Sequence, residues 1–486
     1  MQKGKKRREL GPRRTKIVCT IGPATFGKKK LQQLLRAGMD VARLNFSHGD
    51  QAQHAKTMAD IRSLEKDLGR PIGVLQDLAG PKLRVGDLPG GEMELRPRAE
   101  VVVTTAQSPE SDEIPLPLPA APKALKEGAR ILLADGSIQL RVVDTTRTRI
   151  RCRVVVGGTL RSHQGVHLPD IDLPIETVTD KDLDDLRFGL EHDVDWVAMS
   201  FIRSASDLEP LQDLIERADA SPFLMAKIEQ HSAIDNLEEI IAAADGIMVA
   251  RGDLGIELPL DQVPLLQKSI ITQCNLAGKP VVTATQMLES MVGNPRPTRA
   301  EVSDVANAVL DGTDAVMLSG ETAIGKYPEE AVQVMARVAA RAEEGFDFEG
   351  RLRVSSEWAC KTVTDGISQA TVNLAHDLKA DAILTATATG HTALMVGMHR
   401  PQPPIIAVTP DVAIQRKLTL AWGVRPLLAR RGKTTDALIV NAIDRACQEK
   451  LLRKGDLVVV TAGVPAGVAG HTNLIKVEVV GEHHRL

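Results

Sequence analysis

Basic, acidic and hydroxyl side chains follow several short apolar segments of this sequence, each at the point where the segment ends. Arg43, Lys227, Glu229, Asp253 and Thr285 all hold such positions. Arg and Lys suit phosphoryl oxygens, and carboxylates at this density suit Mg²⁺ or Mn²⁺. The set is therefore equipped to hold a phosphorylated, carboxylated substrate together with a divalent ion.

Lys227 and Glu229 lie two residues apart at the end of the apolar segment Phe223–Ile228. On a β-strand this spacing points both side chains to the same face. Glu229 can then hold a metal ion while Lys227 faces the same ligand. The alternative is a surface ion pair worth less than about 1 kcal/mol, but the apolar neighbours disfavour an exposed position.

These residues need a framework that brings the ends of the segments together. Eight apolar segments alternate with amphipathic stretches, which predicts βα units and a parallel sheet. Eight units with one interruption indicate a (β/α)8 barrel, an α/β fold in which chemistry takes place where the strands end. An open doubly wound sheet is the alternative that periodicity does not exclude. The predicted strands are Ile17–Ile21, Val41–Asn45, Ile72–Leu78, Trp196–Phe201, Phe223–Ile228, Gly246–Ala250, Val281–Thr285 and Ala315–Leu318, and the clearest helices are Asp207–Ala218, Leu237–Ala244 and Val263–Ala277.

The interruption differs in texture, because Val and Thr alternate with charged residues between Gly-containing turns. The run Ile131–Leu140, centred on Asp135-Gly136, is typical of a hairpin. We therefore expect a small β-barrel lid domain inserted after the third strand, over the active face. The predicted domains are a catalytic barrel at 1–84 and 175–345, the inserted lid domain at 85–174, and a C-terminal α/β effector and assembly domain at 346–486.

The βα pattern resumes after Gly345 and predicts the separate C-terminal α/β domain. Its predicted strands are Ala382–Ala386, Ile405–Val408, Val424–Leu427, Leu457–Thr461 and Leu474–Val479, and its predicted helices are Ser356–Asp377, Thr392–Met398, Ala413–Leu418 and Thr435–Lys450.

The composition is that of a soluble globular protein of 486 residues, with 43% hydrophobic and 25% charged residues. The net charge of −3 argues against nucleic acid as a partner, and only 2% of residues are aromatic, so stacking platforms for single strands are scarce. No apolar run reaches about 18 residues, so we expect no membrane partner. Five widely spaced cysteines and the lack of a signal-peptide pattern predict a cytoplasmic protein.

Several long motifs follow one another along the chain. They are Thr20–Ala24, Arg43–Gly49, Ala226–Glu229, Met248–Gly255, Ala284–Met291, Pro297–Glu301 and Met317–Thr322. Through them the sequence resembles the pyruvate kinase family over essentially its whole length. The resemblance implies a phosphotransferase of glycolysis that moves the phosphoryl group of phosphoenolpyruvate to ADP, giving pyruvate and ATP.

The resemblance also implies which residues handle the metal and the migrating group. Glu229 and Asp253 are expected to bind Mg²⁺ (or Mn²⁺), which bridges the carboxylate and the phosphate of the substrate. Lys227 is expected to stabilise charge on the phosphoryl group in flight, while Arg43 grips the phosphate.

Further residues are implied for the substrate and its protonation. Backbone N–H groups at Arg251 and Gly252, at a helix start, are expected to receive the substrate carboxylate beside Asp253. Thr285 matches the family position near the carbon that is protonated, and Ser319 is close to the expected water relay. Because a free Thr hydroxyl is a poor acid, we expect Thr285 to be one member of a relay; the alternative is that it only orients the substrate.

Asn45, His48, Arg84 and Lys181 match the family's nucleotide site, to which ADP is expected to bring a second metal ion.

The monovalent-cation region departs from the family pattern. Members that need K⁺ bind it with residues matching Asn45, Ser47, Asp77 and a Thr, but the Thr position is Leu78 here. Lys82 stands where such members commonly have Glu, and an ammonium there supplies the charge of a potassium ion. We therefore predict activity without K⁺, against the alternative that Lys82 is a solvated surface lysine.

The C-terminal domain resembles the family's allosteric effector domain, which implies a sugar-phosphate or nucleotide effector and a homotetramer. A strand, a small-residue loop and a helix start are suited to cradle a phosphate, with the loop Gly463–Gly470 closing over it. His391 stands where many members have Arg or Lys, and a plain βα turn is the alternative. The candidate effector residues are Thr387, Thr389, Gly390, His391 and Thr392.

Two rival functions share part of this pattern. A Mg²⁺-dependent aldolase or lyase acting on pyruvate-like acids would use the same metal and carboxylate chemistry, without a nucleotide site. A non-catalytic binding protein would not need the intact set of reactive residues at the strand ends.

Overall fold

The computed structural model describes residues 13–169, 171, 176–356, 358–430, 432, 434–464 and 472–482. Within these ranges the strands are β1 (Lys16–Thr20), β2 (Val41–Asn45), β3 (Gly73–Leu78), β4 (Glu92–Leu95), β5 (Glu100–Thr104), β6 (Glu113–Pro115), β7 (Arg130–Leu133), β8 (Ile138–Thr145), β9 (Arg149–Val156), β10 (Gly158–Arg161), β11 (Val166–His167), β12 (Trp196–Met199), β13 (Phe223–Ile228), β14 (Gly246–Ala250), β15 (Val281–Ala284), β16 (Ala315–Leu318), β17 (Ala382–Ala386), β18 (Ile405–Thr409), β19 (Val424–Leu428), β20 (Leu457–Ala462) and β21 (Leu474–Val479).

The helices carry the expected apolar faces and caps. In α1, for example, Leu31, Leu34 and Leu35 are buried at helical spacing, and Thr179 and Thr298 cap α4 and α10 with capping boxes. No helix in the described ranges has the length and apolar character needed to cross a membrane. The helices are α1 (Lys28–Ala37), α2 (Gln51–Leu68), α3 (Ala121–Ala124), α4 (Asp180–Glu191), α5 (Glu209–Arg217), α6 (His231–Asp235), α7 (Leu237–Ala243), α8 (Arg251–Glu257), α9 (Val263–Leu276), α10 (Arg299–Asp311), α11 (Gly320–Ala323), α12 (Pro328–Glu344), α13 (Phe348–Ser356), α14 (Val363–Asp377), α15 (His391–Gly397), α16 (Val412–Lys417) and α17 (Thr435–Gln448).

Strands β1–β3 and β12–β16 close into a parallel barrel in the order β1-β16-β15-β14-β13-β12-β3-β2. This confirms the predicted (β/α)8 barrel, and every barrel strand lies within two residues of its predicted bounds. The strands are near-continuous runs of Val, Ile, Leu, Ala and Met because parallel barrel strands are covered on both faces. All residues of β1, β3 and β14 are accordingly buried.

The insert between β3 and β12 is all-β, as predicted. Its strands form one six-stranded sheet in the order β11-β7-β8-β9-β5-β6 and a two-stranded sheet of β10 and β4, instead of a single closed strand order. The predicted hairpin is β7–β8, with Leu133 paired to Ile138. Ala134 and Asp135 in its turn have φ of +51° and +52°, the conformation that tight hairpin turns demand.

The C-terminal α/β unit has a five-stranded sheet in the order β19-β18-β17-β20-β21, with only β21 antiparallel to its neighbour. One helix prediction was wrong: Ser356–Asp377 is not continuous, since α13 ends at Ser356 and α14 begins at Val363. The break follows from a capping box in which Thr362 and Asp365 satisfy each other's backbone N–H groups. The predicted domain limits themselves stay predictions.

Buried polar contacts join the barrel to the C-terminal unit at the amino-terminal end of the barrel. Arg400 donates to both carboxylate oxygens of Asp314, at 3.0 and 2.9 Å. The Lys16 ammonium donates to the Val424 carbonyl at 2.8 Å, and the Trp196 indole donates to the carbonyl of Lys417 at 3.0 Å.

Candidate active site

Lys227 is the centre of a buried charged cluster at the carboxyl ends of the barrel strands. Its Nζ lies 2.9 Å from Glu229 Oε1 and 3.4 Å from Asp77 Oδ1. Nζ also donates to Ser200 Oγ at 2.6 Å. Lys227 is 9% exposed and Glu229 is 1% exposed, so this is no surface ion pair, and the two side chains share a face as their spacing predicts.

Arg43, two residues before the carboxyl end of β2, joins the cluster through Asp77. Its Nε donates to Asp77 Oδ2 at 2.6 Å, and its Nη1 donates to Thr20 Oγ1 at 2.8 Å. Three neighbouring strands therefore fix one guanidinium. Both contacts come from side chains of the barrel itself, which is the arrangement that preorganised anion binding requires.

The charges in this cluster stabilise one another. Burial would raise the pKa of Asp77, but Arg43 and Lys227 outweigh it and hold that pKa below its usual range. For Lys227, burial would lower the pKa, but Asp77 and Glu229 outweigh burial and hold it above its usual range. Asp77 is therefore ionised and Lys227 protonated at neutral pH.

Glu229 and Asp253, by contrast, repel each other electrostatically. Burial, and then the like charge of Asp253, raise the pKa of Glu229 in spite of Lys227. A bound cation would relieve that repulsion, so the donor set fits a divalent metal. The described ranges contain no group of three or more His, Cys, Asp or Glu side chains that could hold a metal. A site of two carboxylates would leave the other Mg²⁺ ligands to substrate phosphate and water.

Arg251 and Gly252 begin α8 beside the end of β15, as expected. The Gly252 N–H donates to Thr285 Oγ1 at 2.7 Å, and Thr285 Oγ1 donates to the Ala284 carbonyl at 2.7 Å. The Arg251 guanidinium makes a 2.7 Å ion pair with Asp304 and donates to the Thr285 carbonyl at 2.8 Å. The Arg251 side chain is thus engaged with other residues of the barrel.

The backbone at Thr285 adopts a left-handed conformation, with φ of +67°, and Gln286 follows with φ of +53°. A β-branched residue rarely adopts this conformation, and such strain concentrates at functional sites. The strain turns the chain sharply after β15 and brings the Thr285 hydroxyl against the start of α8.

Ser319 follows β16, and its buried Oγ has no hydrogen-bond partner among the described residues. Its N–H donates to Glu321 Oε2 at 2.7 Å, while Glu321 Oε1 accepts from the Leu288 N–H at 3.0 Å. Glu321 therefore ties the loop after β16 to the loop after β15. The unpartnered hydroxyl fits the expected water relay.

The predicted nucleotide residues gather at the end of β2 and beyond β3. Burial lowers the pKa of His48, and Lys82, Arg84 and Arg43 lower it further, so these cations all lie near its ring. Lys181, on α4, donates to the Phe46 carbonyl at 3.0 Å and pairs with Asp185. Its ammonium is thus bound both to the backbone that follows β2 and to a carboxylate of its own helix.

The predicted monovalent-cation region is divided between the barrel and the solvent. Asn45 Oδ1 accepts from the Ser47 N–H at 3.1 Å. Leu78 is fully buried, and its side chain has no oxygen with which to bind a cation. Lys82 is exposed.

A cavity of about 420 Å³ lies between the rim of the barrel and the insert. Lys82, Phe201 and Glu257 line it from the barrel side, and His167 lines it from the insert. His167 Nδ1 lies 3.6 Å from Glu257 Oε1. The insert therefore meets the barrel beside the charged cluster, and its role as a lid stays a prediction.

The candidate effector loop leads from β17 into α15. Gly390 has φ of +89°, and its N–H donates to Thr387 Oγ1 at 2.9 Å. The His391 N–H donates to Thr389 Oγ1 at 3.5 Å, and the Thr392 hydroxyl lies 2.8 Å from that of Thr472. The loop 463–470, which was expected to close over this one, lies outside the described residues from 465 onward.

Ser200 and Thr20 were missed by the sequence reasoning. Besides accepting from Lys227, Ser200 Oγ donates to the Leu78 carbonyl at 2.8 Å. Thr20 ends β1 and accepts from Arg43. Both are hydroxyl residues at the ends of predicted strands, the same signal that identified Thr285.

Comparison with known proteins gives a consistent result over nearly the whole chain. The family profile described as "Pyruvate kinase, barrel domain" matches residues 12–332, and "Pyruvate kinase, alpha/beta domain" matches residues 365–478. Pyruvate kinase 2 of Synechocystis sp. is 49% identical over 475 residues, which are 96% of this chain and 80% of that protein. The pyruvate kinase of Geobacillus stearothermophilus is 46% identical over 476 residues, which are 97% of this chain and 81% of that protein. The crystal structure of a pyruvate kinase from Cryptosporidium parvum matches with a TM-score of 0.91, at 38% identity and 96% coverage of both chains.

Proposed function

The chain belongs to the pyruvate kinase family, and we propose that the cluster around Lys227 is the site at which phosphoenolpyruvate gives its phosphoryl group to ADP. The activity is that of a phosphotransferase that yields pyruvate and ATP. The observation that carries the assignment of the site is a buried ammonium beside two carboxylates at the ends of neighbouring strands. Such a group can meet one phosphate and one metal ion at once.

Glu229 and Asp253 would hold the divalent ion, Mg²⁺ or Mn²⁺. The repulsion that raises the pKa of Glu229 supports a cation at this position. When bound, the ion neutralises charge on the phosphate and the carboxylate of the substrate. The Phe201 N–H, which donates to Glu229 Oε2 at 2.8 Å, keeps that carboxylate oriented.

Arg43 and Lys227 act on the phosphoryl group. Arg43 is already oriented by Asp77 and Thr20, so it binds the phosphate without reorganisation. An ammonium has three N–H donors, and Lys227 has three acceptors around it. Contact with a phosphoryl oxygen therefore requires that one acceptor be released, and Asp77, at 3.4 Å, is the most weakly held.

The enolate left by phosphoryl transfer has to be protonated. The Thr285 hydroxyl, bonded to the Gly252 N–H, is one member of the proton relay, with the unpartnered Ser319 hydroxyl as another. The backbone N–H groups at the start of α8 receive the substrate carboxylate. In that complex the carboxylate takes the place of Thr285 Oγ1 on the Gly252 N–H and frees the hydroxyl.

ADP would bind at Asn45, His48, Arg84 and Lys181, bringing a second metal ion. The cations that surround His48 are suited to the negative charge of its phosphates. Binding of a phosphate by Lys181 competes with its contact to the Phe46 carbonyl.

K⁺ would not be required, because Lys82 supplies a positive charge at the rim and Leu78 lacks the hydroxyl of the K⁺-binding pattern. We also propose an allosteric sugar-phosphate or nucleotide effector at the loop that ends in Thr392, a homotetrameric assembly, and a cytoplasmic location.

A coupled assay with phosphoenolpyruvate, ADP and Mg²⁺, in which lactate dehydrogenase consumes the pyruvate, tests the proposed function. We expect pyruvate to form only when ADP is present and in amounts equal to ATP. Pyruvate formed without ADP would mean hydrolysis of phosphoenolpyruvate instead of transfer to a nucleotide. No pyruvate under any condition would contradict the kinase assignment and leave the aldolase or lyase and the binding protein as alternatives.

A further inference from the structure

His54, on α2, contacts the turn that carries the proposed nucleotide residues. The turn runs from Asn45 to Gly49, and the Asn45 carbonyl accepts from the His48 N–H at 3.2 Å. His54 Nε2 lies 3.0 Å from the His48 carbonyl. Because a carbonyl only accepts, Nε2 must carry the proton and donate it.

The same ring packs against the turn from one side. His54 stacks on Phe46 with centroids 4.2 Å apart and planes 15° apart, and Phe188 of α4 lies behind at 6.0 Å. The chain has only seven Phe residues, and two of them pack together at this position. His54 is 7% exposed, and burial lowers its pKa, which favours the neutral ring.

The turn itself offers its side chains to solvent. Ser47 and His48 are exposed, while Phe46 points inward and is buried. Gly49, with φ of +76°, directs the chain into α2. A single ring therefore fixes both the inward residue of the turn and the carbonyl of its outermost one.

We propose that His54 is a positioning residue for the nucleotide: its Nε2–H holds the His48 carbonyl, its ring holds Phe46, and together they set where Asn45 and His48 meet ADP. The inference rests on the proposed nucleotide site and names a residue that acts through it. His54 does not touch the nucleotide.

A matched pair of amides separates hydrogen bonding from packing. The amide of His54→Gln reaches the position of Nε2 and can still donate to the His48 carbonyl, whereas the shorter amide of His54→Asn cannot. His54→Phe keeps the stacking and loses the donor. A neutral hydrogen bond is worth about 0.5–1.5 kcal/mol, so we expect KM for ADP to rise roughly fivefold in His54→Phe and His54→Asn. KM for phosphoenolpyruvate should change by less than about twofold, and His54→Gln should restore most of the affinity for ADP.

The readout is the pair of KM values, with the melting temperature of each variant as a control for folding. Equal rises in both KM values, or no rise in either, would overturn the inference; if His54→Phe does not fold, the Gln and Asn variants still decide it. His48→Ala serves as the reference. If it raises KM for ADP while the His54 variants do not, the inference fails alone; if it leaves KM for ADP unchanged, the nucleotide site fails with it.

Discussion

At Lys227 three acceptors surround one ammonium group, and each belongs to a different strand end. Glu229 fixes the charge, Ser200 fixes the direction, and Asp77 links the ammonium to Arg43. Since phosphoryl transfer is catalysed mostly by positioning and charge, loss of the ammonium should reduce turnover more than binding.

We expect Lys227→Met to lower kcat by about 10²-fold or more, because the variant lacks the ammonium proposed to stabilise charge on the migrating group. Steady-state kinetics against phosphoenolpyruvate and ADP measure the effect, and an unchanged melting temperature excludes unfolding. Turnover close to that of the unsubstituted enzyme would rule out the proposed role of Lys227.

Lys82 should make the enzyme independent of K⁺. In a sodium-free Tris buffer, we expect full activity without K⁺ and a strong dependence on K⁺ in Lys82→Glu, because the substitution removes one positive charge and adds a negative one at the rim. Lys123→Glu makes the same change of charge at an exposed site on α3 and serves as the control. Strong stimulation of the unsubstituted enzyme by K⁺ would contradict the prediction.

Strand ends were sufficient to find Arg43, Lys227 and Glu229, because in a barrel they converge by topology. The contacts of Ser200 could not be predicted in this way. A hydroxyl beside a strand end reveals its partner only when the register of two neighbouring strands is known.

Among the elements, α4 packs closely on β3 at a helical glycine. A Cβ placed on Gly189 would clash with Oε1 of Gln76. Gln76 is fully buried, and its Nε2 donates to the Asp185 carbonyl at 2.6 Å. Helix propensity favours alanine here by about 0.5–1 kcal/mol, and the clash opposes it.

We therefore expect Gly189→Ala to lower the free energy of unfolding by about 1–3 kcal/mol, the usual range for overpacking. Gly366, in α14, is the matched control, since nothing lies within 4 Å of a Cβ there. Gly366→Ala should be neutral or stabilising by about 0.5–1 kcal/mol. Chemical denaturation of both variants measures the difference, and equal effects would show that the close approach of Gln76 is not significant.

Strand positions were predictable within about two residues because buried parallel strands are continuous apolar runs. The prediction of one helix from Ser356 to Asp377 was wrong because hydrophobic periodicity does not show where a capping residue starts a new helix. Thr362 and Asp365 form a capping box, and the pattern of a Thr with an acidic residue three positions later was present in the sequence.

On the scale of the whole molecule, the barrel is attached to the C-terminal unit through side chains that are costly to bury. Burial lowers the pKa of the Lys16 ammonium to about 7, against the opposing influence of Asp40. Between pH 10.5 and about 7 the unfolded chain therefore holds a proton that the folded chain lacks, so stability from this group falls as the pH falls.

Lys16→Met should remove this dependence. We expect the free energy of unfolding of the variant, minus that of the unsubstituted protein, to increase as the pH is lowered from about 10 to about 7, because only the unsubstituted protein loses this stability. Lys56→Met, on the exposed face of α2, serves as the control. Denaturation curves at several pH values measure the difference, and parallel pH profiles for the two variants would contradict the assigned environment of Lys16.

The contact between the barrel and the C-terminal unit also has a consequence for tryptophan fluorescence. Trp196 bonds to Lys417, Trp422 lies under the guanidinium of Arg400 at 5.0 Å, and Trp358 stacks on His399 at 5.6 Å. The chain has three tryptophans, and none falls within the insert. Trp196 and Trp422 therefore make intrinsic fluorescence an optical probe of the contact between the two units, whereas Trp358 and its partner His399 both lie in the C-terminal unit. Movement of the insert would not be reported unless it alters that contact.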